Sequence, residues 1–134
     1  MVNFWLAVPM PGERLPDSQR VISKGPIYKL DEVRRQLNAG SVVLATPKCT
    51  KDVAQRLQWD KGDVWAAFNS LASKHYVSSE FCLIQNNVWV CADAYAIYNY
   101  YDGNEGGWTV DLYLKFGVSP NGRVLLMISC HPSN

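Results

Sequence analysis

An α+β fold, with about three helices packed on one face of an antiparallel sheet, follows from three features of this chain. Apolar residues recur at helical spacing between Leu30 and Leu71. From Phe81 onward the pattern changes to strands, and Trp108 to Phe116 alternates apolar and polar residues throughout. Ser119-Pro120-Asn121-Gly122 then turns a last strand back along the preceding one.

The 134 residues, 48% apolar and 19% charged, have a globular composition and suffice for one core. Residues 1–25 read as an N-terminal arm or extension, with Pro9, Pro11 and Pro16 set among Glu13, Arg14, Asp17 and Arg20. Val2 to Val8 could add an edge strand to it. Phe4 to Met10 is apolar but lacks a basic flank and meets Pro9, Pro11 and Gly12, so it is read as neither a signal peptide nor a membrane span. Gly25-Pro26 separates this arm from the domain, residues 26–134.

The first helix is marked by Leu30, Val33, Arg34 and Leu37, with Asp31 and Glu32 in the first turn and Asn38-Ala39-Gly40 at the end. Arg34 and Arg35 read as its solvated side. Ser41 to Thr46 is a short Val-rich strand stopped by Pro47. Thr50 can cap a second helix whose apolar side is Val53, Ala54 and Leu57. Asp60, with Asp63 three residues on, opens a third carrying Val64, Ala67, Phe68 and Leu71. Trp59, between the last two, reads as packing at a helix corner.

Phe81 to Ile84 and Val88 to Cys91 form two short strands joined by Gln85-Asn86-Asn87. Tyr95, Tyr98, Tyr100 and Tyr101 precede the Gly-rich run from Asp102 to Gly107. Such a cluster suits three roles: stacking on unpaired bases, sheet packing, or a protein-binding surface. The glycines lack the spacing of a phosphate-binding loop.

The terminal hairpin supplies the candidate chemistry. If Pro120, Asn121 and Gly122 form a three-residue loop, Ser119 pairs with Arg123, Lys115 with Met127, Tyr113 with Ser129 and Asp111 with His131. All of these side chains then point away from Leu112 and Leu114, so an acid, a phenol, an ammonium and an imidazole share one wet face. A slip of one residue would turn His131 into the core, so this reading depends on register.

Cys49, Cys82, Cys91 and Cys130 lack metal-ligand spacing and mostly sit in apolar runs, which fits buried thiols, no bound metal or cofactor, and a reducing cytoplasm. The formal charge of +1 provides no global basic field, so nucleic-acid binding would need a local patch.

Pro26-x-Tyr28-x-Leu30-x-x-Val33, then Leu37-x-Ala39-Gly40, a Val-rich strand, a short helix and the Asp60 to Leu71 helix resemble the MqsR family of toxins. The likeness continues through Trp89, Asp93-Ala94-Tyr95, Leu112-Tyr113-Leu114-Lys115 and Ile128-Ser129, covering roughly Pro26 to His131. The resemblance implies a RelE-like fold, metal-independent endoribonuclease (mRNA interferase) activity on mRNA, and a cognate antitoxin protein as partner. It places the family's active-site Tyr on Tyr113, its strand Lys on Lys115 and its C-terminal Lys on His131. Two positions depart from the pattern: Val77 stands where the family has Lys, just after Lys74 and His75, and Ala92 where it has Gln.

Cutting RNA without metal requires a base for the 2′-hydroxyl proton, positive charge for the phosphorane and an acid for the leaving 5′-oxygen. Histidine, with a reference pKa of about 6.5, can serve as either base or acid, so His131 takes that role with Asp111 orienting its ring. Lys115 supplies charge and Tyr113 a hydrogen-bond donor. Lys74, His75, Tyr76 and Tyr95 are candidates for holding RNA. The alternative expectation is a degraded, toxin-like module that binds a partner protein without cleaving RNA.

Overall fold

The computed structural model describes residues 19–85, 88–101 and 109–133. The expected Val2 to Val8 strand, Trp108, Asn86-Asn87 and the Gly-rich run lie outside them. In chain order the elements are β1 (Val21–Ile22), α1 (Leu30–Gln36), β2 (Val42–Leu44), α2 (Pro47–Lys51) continuing as a π-helical segment (Asp52–Leu57), α3 (Lys61–Asn69), β3 (Tyr76–Ile84), β4 (Val88–Tyr101), β5 (Thr109–Val118) and β6 (Leu125–Pro132). The α+β class holds. Six strands form one sheet in the order β1-β3-β4-β5-β6-β2.

The sheet is mixed rather than antiparallel, because β2 runs parallel to β6 with Val42 beside Leu125 and Leu44 beside Met127. The helices cover one face. Val33, Val53, Leu57, Val64 and Phe68 pack there with Tyr95, Leu112, Leu114, Phe116, Met127 and Cys130. Trp59 meets Tyr100 edge-on at 5.8 Å, so it packs at the helix corner as its sequence context suggests. Among the described residues, no helix is long and apolar enough to cross a membrane.

Local chemistry explains several boundaries. Asp60 and Asp63 cap α3 reciprocally, each side chain accepting the other's backbone N–H. For α2 the cap is Thr46, which accepts from the Cys49 N–H at 3.0 Å, and not Thr50; Pro47, which ends the strand, also opens the helix. Arg34 departs from its solvated reading. Its guanidinium donates to the Phe68 and Leu71 carbonyls, tying α1 to the end of α3 and to Leu71 just after it. Strands β3 and β4 are longer than expected because tertiary pairing carries β3 back to Tyr76 and β4 on through the tyrosine cluster.

Asp93 ties the segment before α1 to the sheet, whose edge strand β1 already lies within the expected 1–25 arm. Fully buried on the core face, the Asp93 carboxylate accepts from the Ile27 and Tyr28 backbone N–H groups, both at 2.9 Å, and from the Ser79 hydroxyl at 2.6 Å. Burial pushes its pKa up, and these three donors oppose that shift. Gly25 lets the chain approach: a Cβ there would lie 1.9 Å from Ser79 Oγ.

Candidate functional site

The β5–β6 hairpin does not follow the expected register. Ser119 Oγ accepts from the Val124 N–H, and the Ser119 N–H donates to the Val124 carbonyl, so Arg123 belongs to the loop and the loop holds one residue more than expected. Gly122 takes the left-handed conformation, φ 74°, that such a turn favours. This change alone would bury His131. A bulge in β6 reverses it: Phe116 pairs with Met127 and Lys115 with Ser129, leaving Ile128 as the extra residue.

Beyond the bulge the alternation is restored, two positions away from the expected pairing. Tyr113 faces His131 instead of Ser129, Lys115 faces Ser129 instead of Met127, and Met127 is buried in the core. Tyr113, Lys115 and His131 therefore share the face turned away from the helices, each partly buried. The Tyr113 and His131 rings stack, with centroids 5.3 Å apart and planes 29° from parallel.

His131 Nδ1 lies 2.7 Å from the Pro132 carbonyl oxygen. A carbonyl can only accept, so in the neutral ring Nδ1 carries the hydrogen and Nε2 keeps its lone pair. Burial pushes the Tyr113 phenol above its ordinary pKa, making it a neutral hydrogen-bond donor at physiological pH.

Lys115 is not a solitary charge. Its ammonium meets Glu80 Oε1 at 2.7 Å, reaching across β4. The positions of β4 that pair with Glu80 and Lys115 are Ala92 and Ala94, small enough to leave this passage. Burial alone would lower the Lys115 pKa, but the Glu80 hydrogen bond and neighbouring acidic groups hold it above the usual value. Glu80 was not a sequence candidate, because the strand was expected to start only at Phe81; the Ser78, Glu80, Cys82 alternation was the signal that could have found it.

Asp111 does not orient His131. Its carboxylate accepts the Asn99 N–H at 3.0 Å, supporting a second bulge, in β4. Asp52 is held below the ordinary carboxylate range mainly by its hydrogen bond from Lys48 at 2.6 Å, with a smaller contribution from His131.

The expected RNA-holding residues are spread over the molecule. Tyr95 is 1% exposed and stacks on Phe116, so it is a core residue. Its position on the helix-facing side of β4 decides that. Tyr76 packs edge-on to Tyr95 at 5.7 Å and shares a hydrogen bond with Ser79. His75 Nδ1 accepts the Ala72 N–H at 3.0 Å, which places its neutral-ring hydrogen on Nε2, opposite to His131. Burial, with Lys74 beside it, lowers the His75 pKa. Lys74 is exposed, as is Val77. Among the described residues, Lys74, His75, Tyr76 and Tyr95 form no hydrogen bond, ion pair or ring contact with the Tyr113–His131 pair.

Comparison with protein-family models, curated proteins and solved structures finds no match to the chain.

Proposed function

We propose that this chain is a metal-independent endoribonuclease that cuts mRNA, the toxin of a toxin-antitoxin pair with a RelE-like fold, neutralised by a cognate antitoxin protein. The stacked Tyr113–His131 pair beside Lys115 on one face carries this reading. It unites the three kinds of group that the reaction requires.

In this mechanism the His131 Nε2 lone pair takes the proton of a ribose 2′-hydroxyl. The 2′-oxygen attacks the adjacent phosphorus, and the bond to the 5′-oxygen breaks. Products are a 2′,3′-cyclic phosphate and a 5′-hydroxyl, whose proton comes from the imidazolium or from water. Lys115 turns from Glu80 toward the phosphate and stabilises the charge of the phosphorane. Tyr113 fixes the imidazole plane by stacking and donates its phenolic hydrogen to a phosphate oxygen.

Long mRNA incubated with purified protein in EDTA, with and without the protein encoded beside it, tests the proposal. Discrete cuts suppressed by that partner support it, and intact RNA removes it. A second reading, a toxin-like module that binds a partner protein without cleaving RNA, draws on the Glu80–Lys115 ion pair, which already neutralises the ammonium.

A further inference from the structure

The bulge in β4 sorts the tyrosine cluster into two sets. Ile97 pairs with Leu112 and Tyr100 with Val110, so Tyr98 and Asn99 together stand opposite Asp111. Asn99 adopts a left-handed backbone, φ 58°, and its N–H is held by the Asp111 carboxylate. Unbroken alternation would put Tyr98 and Tyr100 on one face and Tyr101 on the other. With the extra residue, Tyr100 turns to the core against Trp59. Tyr98 and Tyr101 are left outward, 73% and 56% exposed.

Both belong to the face that carries Tyr113, His131 and Lys115, since Ala96 pairs with Tyr113 and Tyr101 with Thr109. Along β5 that face presents four successive rows: Lys115, then Tyr113 with His131, then Asp111 with Tyr98, then Thr109 with Tyr101. Rows on one face are about 7 Å apart, two residues of ~3.4 Å each. That is about twice the ~3.4 Å rise of stacked bases in a duplex strand. Consecutive rows can therefore receive consecutive bases only from a strand stretched open and unstacked.

We infer that Tyr98 and Tyr101 form a base-stacking subsite for a single-stranded nucleic acid, one and two rows from the Tyr113–His131 pair. Aromatic faces accept any base, so the subsite selects for strandedness rather than sequence. The same face carries the His131 imidazole and the Lys115 ammonium, which meets a phosphodiester only on leaving Glu80. Asp111, the anion in this row, is engaged in holding the Asn99 N–H. The inference names the substrate form and rests on the proposed ribonuclease reading.

A fluorescent 2′-O-methyl RNA about 12 nucleotides long serves as probe, because its blocked 2′-oxygen prevents cleavage while its bases remain free to stack. Anisotropy titration with the full chain should show single-strand binding that Tyr98→Ala and Tyr101→Ala each weaken roughly 5- to 150-fold. Tyr98→Phe and Tyr101→Phe should retain it. The proteins must keep the wild-type circular dichroism spectrum, as expected for exposed positions. Equal affinity in the Ala variants, equal binding of a duplex, or variants that lose only a protein partner would overturn the inference. Tyrosine-dependent binding by a protein that leaves unmodified RNA intact would uphold the subsite and remove the nuclease proposal. Cleavage with unchanged KM in both Ala variants would do the reverse.

Discussion

Tyr113 and His131 occupy directly paired positions on β5 and β6 and stack at 5.3 Å, although the turn that joins their strands is longer than its sequence suggests. The bulge at Ile128 restores the shared face. The pair therefore depends on two compensating irregularities, and its chemistry can be tested apart from the fold.

His131→Ala should lower RNA cleavage by about 10² to 10⁴-fold, the usual contribution of a general acid or base. Tyr113→Phe keeps the ring stack and loses only the phenolic donor, so its loss should be smaller. Both proteins should melt near the wild-type temperature. Single-turnover cleavage in EDTA measures this, and near-wild-type rates for both would remove the mechanism.

Asp111→Asn should leave the cleavage rate within about threefold of wild type, far below the effect of removing an acid-base group. Its carboxylate supports the Asn99 backbone rather than His131. A large loss in kcat with unchanged substrate binding would show that Asp111 acts on the imidazole after all.

Glu80→Gln should destabilise the fold by about 1 to 2 kcal/mol, since it takes the charged partner from a largely buried ammonium while both groups keep some contact with water. The Lys115 pKa is raised in the folded protein, so its stabilisation is complete below the unfolded value of about 10.4 and lost as pH rises through the folded one. Urea unfolding between about pH 9 and pH 12 should thus show wild type losing its advantage over Glu80→Gln at the alkaline end. A difference that stays constant with pH would contradict this.

Asp93→Ala should cost about 2 to 5 kcal/mol, because it orphans two buried backbone N–H groups and the Ser79 hydroxyl at once. Hydrogen exchange should quicken first at Ile27 and Tyr28. Slow exchange there in a folded variant would mean that the segment before α1 is held by packing instead.

Asn99→Gly should be tolerated, whereas Asn99→Val should destabilise by about 1 to 2 kcal/mol, the cost of a branched side chain at left-handed φ. Thermal melts of both decide it; equal stability would show that the β4 bulge relaxes without penalty.

Read alone, the chain determined the α+β class, the α3 cap at Asp60 and Asp63 and the packing role of Trp59. These follow from period and capping chemistry, which act over a few neighbouring residues. Tertiary structure alone decided the partners: Glu80 on Lys115, Arg34 on α3, Asp93 under Ile27 and Tyr28, and the division of the tyrosines between core and surface. The first three join elements distant in sequence, the division of the tyrosines follows from the bulge at Asn99, and the Tyr113–His131 pairing from the bulge at Ile128. A bulge is chosen by how side chains pack across strands far apart in sequence, so no local pattern announces it.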